Sequence, residues 1–141
     1  MKFWDASAVV PLLVQEPATS AMRGLLREDR ELLVWWGTSV ECVSALARRQ
    51  REGNLHRADF TRAEQRLRRL AGAWVEVLPT DPVRSTAERL IRVHPLRAAD
   101  ALQLAAAVIG AEHEPSSLTL ITLDDRLGEA AEREGFTVVG G

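Results

Sequence analysis

Five short apolar runs punctuate the chain at Lys2–Trp4, Leu32–Trp36, Trp74–Leu78, Leu118–Thr122 and Thr137–Val139. Most are apolar almost throughout instead of alternating with polar residues, the pattern of strands covered on both faces. Such strands belong in a parallel sheet, and parallel neighbours need a crossover helix to join them. Longer stretches with helical spacing stand where those crossovers are needed: Ser7–Val14, Thr19–Glu28, Ser39–Glu52, His56–Ala71, Pro82–Val93, Arg97–Ala111 and Asp125–Glu134. Gly53-Asn54 divides the third from the fourth, His94-Pro95 the fifth from the sixth, and Gly135 ends the last. The spacing predicts an α/β fold, a mostly parallel central sheet of four to five strands flanked by about seven helices. No repeat, low-complexity run or linker interrupts the pattern, which predicts one domain over residues 1–141.

Bulk properties narrow the function classes. The longest apolar stretch, Ala101–Ala111, is broken by Gln103 and too short to cross a bilayer. Asp5 stands where the apolar region of a cleavable signal would start, and the single cysteine, Cys42, cannot form an internal disulfide. A cytoplasmic protein without a membrane segment is expected. Net charge is only −2, but its distribution is uneven. Residues 48–69 hold eight arginines against three acids, a net +5 that leaves −7 for the rest of the chain. A basic region beside an acidic one suits a phosphate backbone lying next to a metal pocket; it equally suits two solvated helix faces.

Four acids fall at informative places. Asp5 follows the first strand, Glu41 begins the helix after the second, and Asp124 follows the fourth. Strand C-termini of a parallel sheet share one edge, where open α/β sheets place their ligands. Asp100 lies near the start of the apolar stretch from Leu96 to Ile109, where a bare buried carboxylate would cost several kcal/mol. Each acid also has an ordinary reading. Asp5 and Asp124 are candidate helix caps, Asp100 a candidate partner of Arg97, and Thr38 with Glu41 a candidate capping box. Four carboxylates at one edge repel each other unless a cation sits among them. Oxygen-only donors favour Mg2+ or Mn2+. The three histidines, His56, His94 and His113, form no cluster with Cys42, which leaves zinc without support. An all-carboxylate Mg2+ pocket is suited above all to phosphoryl chemistry.

The wording of the motifs then points to a family. Phe3-Trp-Asp-Ala-Ser-Ala-Val-Val resembles the opening strand of PIN domains, and Thr38-Ser-Val-Glu-Cys-Val-Ser-Ala-Leu-Ala-Arg-Arg resembles their second acidic motif. Leu96-Arg-Ala-Ala-Asp-Ala-Leu-Gln-Leu resembles the third and Ile121-Thr-Leu-Asp-Asp-Arg-Leu the fourth, which favours Asp124 over the adjacent Asp125. The motifs stand in family order and span essentially the whole chain. Length and wording most resemble the VapC toxins of bacterial and archaeal toxin–antitoxin pairs. The resemblance implies a PIN-like three-layer sandwich and a Mg2+- or Mn2+-dependent endoribonuclease. It also implies a VapB-like antitoxin whose tail enters the site, and a homodimer. By motif, Asp5, Glu41, Asp100 and Asp124 would form the metal site, with Asp5 and Asp100 in direct contact and Glu41 and Asp124 acting partly through water. Ser7 and Thr122 would be their polar neighbours, and Arg97 is a candidate for orienting Asp100 or meeting a phosphate.

Other residues receive plainer readings. Trp35-Trp36 read as strand core before base-stacking platform, as do Trp4 and Trp74. Cys42, with no adjacent histidine, reads as a buried small hydrophobe. Arg48, Arg49 and Arg51, on the helix that carries Glu41, are candidates for guiding RNA. Two rival functions differ from the nuclease in residues. A phosphatase of the haloacid-dehalogenase type would carry a second Asp where Ser7 stands and a later lysine, whereas the only lysine is Lys2. A non-catalytic RNA- or protein-binding module of the same fold would be expected to lack one of the four acids.

Overall fold

All five expected strands form, and every pairing is parallel. The computed structural model describes residues 1–140. In chain order these are β1 (Lys2–Trp4), α1 (Ala6–Leu13), α2 (Thr19–Glu28), β2 (Leu32–Trp35), α3 (Thr38–Arg51), α4 (Arg57–Ala71), β3 (Val75–Val77), α5 (Asp81–Val93), α6 (Ala98–Gly110), β4 (Thr119–Ile121), α7 (Asp125–Arg133) and β5 (Thr137–Val139). A 3-10 turn at Pro115–Ser117, for which the sequence pattern held no signal, precedes β4. No helix among the described residues is long and apolar enough to cross a membrane.

The sheet runs β3-β2-β1-β4-β5. Adjacent residues on each central strand serve opposite faces, as strand pleating requires. Phe3, Leu33, Trp35 and Leu120 pack with α5, α6 and α7 on one side. Trp4, Leu32, Val34 and Ile121 pack with α1 to α4 on the other. This two-sided burial is the reason the runs carry so little polar alternation. Trp4, Phe3, Leu104, Leu120 and Ile121 are fully buried, and truncating such a leucine to alanine costs about 2–5 kcal/mol. Helix α6 lies close on the sheet because Gly110 has no side chain, and a Cβ there would stand 2.8 Å from Leu33 Cδ2.

The order of strands also decides where a ligand can bind. From β1 the chain winds outward through β2 to β3, then crosses back and continues through β4 to β5. The winding therefore reverses between β1 and β4, and the crevice of a doubly wound sheet opens at the strand C-termini of that reversal. Asp5 follows β1 and Asp124 lies just beyond β4, so both belong to this crevice.

Two expectations need correcting. Trp36 is not strand core: β2 ends at Trp35, and Trp36 stands 51% exposed with its ring edge-on to Trp35. The turn into α3 takes it out of the sheet, while Trp4, Trp35 and Trp74 are buried as expected. Nor is there a capping box at Thr38. Gly37 occupies the N-cap position without a side-chain cap, Thr38 is the first helical residue, and its hydroxyl accepts from Gln103. The Gly53-Asn54 break behaves as predicted. Gly53 at φ +80 donates to the Gln50 carbonyl and Asn54 to that of Arg49, a Schellman closure of α3.

Candidate active site

Asp5 is held at the crevice from both directions. Its backbone N–H donates to the Ile121 carbonyl at 3.2 Å, extending the β1–β4 ladder by one residue. Asp5 also sits at the N-cap position of α1, but its side chain makes no cap hydrogen bond. The Ser7 hydroxyl donates to Asp5 Oδ1 at 2.7 Å instead and accepts from the Leu123 amide at 2.9 Å. Thr122 Oγ1 lies 3.3 Å from Ser7 Oγ and accepts from the Asp124 amide at 3.0 Å. Asp5 is only 4% exposed. Burial pushes its carboxyl up to about 7, against the pull of the Ser7 and Thr122 hydroxyls and the Ala8 and Ser7 amides.

The other three acids stand at helix N-termini, Glu41 on α3, Asp100 on α6 and Asp124 on α7. Glu41, in the first turn of α3, is half-buried and accepts from the side-chain amide of Gln103. Burial raises its pKa, the Gln103 hydrogen bond opposes that, and the Asp100 carboxylate adds to it. Asp100, in the first turn of α6, is raised by burial and by Asp124, with Arg97 and Arg126 opposing. Asp124 caps α7, its Oδ1 accepting from Leu127 N at 2.9 Å, so for this acid the ordinary reading is correct. The Cys42 thiol is driven to about 12 by burial and by the charges of Glu41 and Asp5. It is buried, as expected of a small hydrophobe. Glu41 and Asp100 are thus electrostatic neighbours, as are Asp100 and Asp124, while Asp5 meets Glu41 only across Cys42.

Arg97 occupies the N-cap position of α6 and is exposed. Arg48 and Arg51 are exposed in the last turns of α3, while Arg49 pairs with Glu16. At a rise of ~1.5 Å per residue, these three lie roughly 10–15 Å along the helix from Glu41. Asp125, the first residue of α7, lines a separate hollow with Gly128 and Glu129, while Asp124 borders both that hollow and the one lined by Asp100. Gln103 was passed over as a polar interruption of an apolar helix. It is 2% exposed, and its Nε2 donates both to Thr38 Oγ1 at 3.0 Å and to Glu41. Its position three residues after Asp100, on the same helix face, was the available signal. Arg126, which borders the cavity beside Asp100 and Asp124, was also missed.

The donor set fits a hard divalent cation. Among the described residues, no lysine, arginine or histidine forms an ion pair with Asp5, Glu41, Asp100 or Asp124. A carboxylate as buried as Asp5 without a cationic partner is costly and calls for one. No three acidic, histidine or cysteine side chains among the described residues converge tightly enough to enclose an ion by themselves. Such an open arrangement suits Mg2+ or Mn2+, which keep several waters and take few protein ligands directly.

Open doubly wound α/β domains place their ligands at such a switch point. A PIN domain profile matches residues 2–133, and the chain belongs to the PIN-domain family, whose members are in general nucleases. Among solved structures it is similar to PAE2754 from Pyrobaculum aerophilum, at 22% identity and a TM-score of 0.67 over 98% of this chain and 88% of that one. FitAcB from Neisseria gonorrhoeae is similar at 20% identity and a TM-score of 0.66, over 98% and 96%. A toxin–antitoxin complex from Klebsiella pneumoniae follows at 16% identity and a TM-score of 0.65, over 99% and 96%. No match was found among curated proteins. At these identities the likeness is one of fold.

Proposed function

We propose that the chain is a Mg2+- or Mn2+-dependent endoribonuclease that acts as the toxin of a toxin–antitoxin pair. The observation that carries the reading is Asp5, a buried carboxylate at the switch point that lacks a cationic partner. Family membership supports nuclease chemistry, and the likeness to a toxin–antitoxin complex supports an antitoxin of the VapB kind as partner. A homodimer in the cytoplasm completes the reading.

Asp5 and Asp100 would hold the ion directly, with Glu41 and Asp124 engaging through water. When bound, the ion supplies charge neutralisation at the scissile phosphate and a water acidified towards neutral pH. The protein's part is orientation. Ser7 and Thr122 fix the Asp5 carboxylate, and Gln103 fixes that of Glu41. Hydrogen bonds of this kind hold ligands in register and raise site affinity.

The test is incubation with total RNA in Mg2+, Mn2+ or EDTA, beside an Asp5→Asn/Asp100→Asn variant. Metal-dependent cleavage by the wild type alone supports the reading, and mapping the cuts identifies the RNA. Absence of Mg2+ and Mn2+ binding by calorimetry would sink it, and would leave a non-catalytic PIN module in its place.

A further inference from the structure

Beside the acids lies a cavity of about 430 Å³ lined by Pro95, Arg97, Ala99, Asp100, Asp124 and Arg126. Its walls are chemically divided, with two carboxylates on the side of the proposed metal and two guanidinium groups bordering the remainder. Arg97 and Arg126 are both exposed, come from different elements, and make no ion pair among the described residues. What sets Arg97 and Arg126 apart is position: both border one hollow whose lining also carries Asp100 and Asp124. Helix α6 opens at Arg97 without a side-chain cap, so the positive end of its dipole faces the same hollow.

We infer that Arg97 and Arg126 form a phosphate subsite that seats a backbone phosphate of single-stranded RNA next to the phosphate at the four acids. The assignment rests on the nuclease reading for its substrate and extends it with positioning residues and a direction of approach. Guanidinium groups match non-bridging phosphate oxygens two at a time, which gives orientation as well as attraction. The cavity's mixed walls suit a polyanion that must meet an acidic metal site: the arginines bind one phosphate and so bring its neighbour to the carboxylates. A scattered basic surface would attract RNA without fixing that register. The arginines of α3, at the far end of the helix from Glu41, lack this adjacency.

The experiment measures binding of a fluorescein-labelled single-stranded RNA across a range of salt, with Mg2+ present and Asp5→Asn as background to prevent cleavage. Arg97→Ala and Arg126→Ala are each expected to weaken binding roughly tenfold. Each should also flatten the slope of log Kd against log salt by about 0.7. Arg126→Lys should keep the slope while weakening the affinity. Arg133→Ala, at the other end of α7, removes the same charge and is expected to change neither. The subsite is overturned if the first two variants behave like Arg133→Ala. It is also overturned if RNA fails to bind and an acidic peptide binds in an arginine-dependent way. Cleavage of total RNA by the wild type separates the two readings. Cleavage together with arginine-independent binding removes the subsite and leaves the nuclease. No cleavage together with arginine-dependent binding leaves the subsite and removes the nuclease.

Discussion

The Ser7 hydroxyl donates to Asp5 Oδ1 across 2.7 Å while its oxygen accepts the Leu123 amide, so a single side chain ties the buried acid to the chain leaving β4. Ser7→Ala removes both bonds at once, leaving the Leu123 amide and one Asp5 oxygen short of a partner. The expected loss of stability is about 1–3 kcal/mol, read from urea unfolding. Metal affinity should fall as well, because Asp5 is then free to turn. An unchanged urea midpoint together with unchanged metal affinity would show that the relay is incidental.

Gln103 does for Glu41 what Ser7 does for Asp5. Its amide spends both protons on Thr38 and Glu41, and its Oε1 has no partner among the described residues. Gln103→Leu fills similar space without the donors. Leucine also removes the unpartnered oxygen, so the variant is expected to lose no more than about 1 kcal/mol of stability. Metal affinity should fall roughly tenfold, the scale set by losing a hydrogen bond that orients a ligand. Calorimetric titration with Mn2+ checks the second point; equal affinities in the two proteins would remove Gln103 from the site.

Much of this arrangement was legible in the residues. The apolar runs found the central strands β1, β2 and β4 because strands covered on both faces have little polar side to confuse the pattern, and the edge strands β3 and β5 and the intervening helices followed. Strand order was not legible, since nothing in Leu120 or Val138 says which neighbour each will pair with. Yet that order makes the crevice between β1 and β4 the site. Asp5 and Glu41 looked like caps because cap and ligand positions both lie where a strand hands over to a helix. Only the placement of Ser7 and Gln103 shows that these two carboxylates turn elsewhere. Trp36 was misread because an apolar run does not announce the residue at which the turn begins. Arg126 was missed because its direction depends on the phase of α7, which the Asp124 cap sets.

Remote from the acids, Glu134 links α7 to the segment that precedes α6. Its Oε2 lies 2.7 Å from His94 Nε2, and its Oε1 accepts from Arg89 at 2.9 Å. Burial acts to raise its pKa, but Arg89 and His94 outweigh burial and hold it below the ordinary glutamate value. A depressed folded pKa stabilises the fold above the unfolded value, and that stabilisation is lost as pH falls through the folded one. Glu134→Gln should therefore cost about 1 kcal/mol at pH 7 and less at pH 3, below the ordinary glutamate value. Urea unfolding at the two pH values tests this. A difference that persists unchanged at pH 3 would assign the effect to packing.

Asp5 gives the opposite sign and links pH to metal. Its carboxyl titrates near 7 in the fold against 3.8 in the unfolded chain, so the folded state binds the extra proton between those values. Without metal, stability should fall as pH rises from about 4 to 7 and then level off, by at most about 4 kcal/mol. The wild type in EDTA is accordingly expected to be less stable at pH 8 than at pH 5, relative to Asp5→Asn measured alongside. Mg2+ answers the same unpartnered charge, so it should raise the wild-type Tm more at pH 8 than at pH 5, and the Asp5→Asn Tm little at either. Protonation and metal binding compete for one carboxylate, which makes the two effects a single linked equilibrium. If the EDTA stability curves of wild type and Asp5→Asn run parallel across this range, Asp5 carries no such burden and the main support for a cation at the switch point is gone.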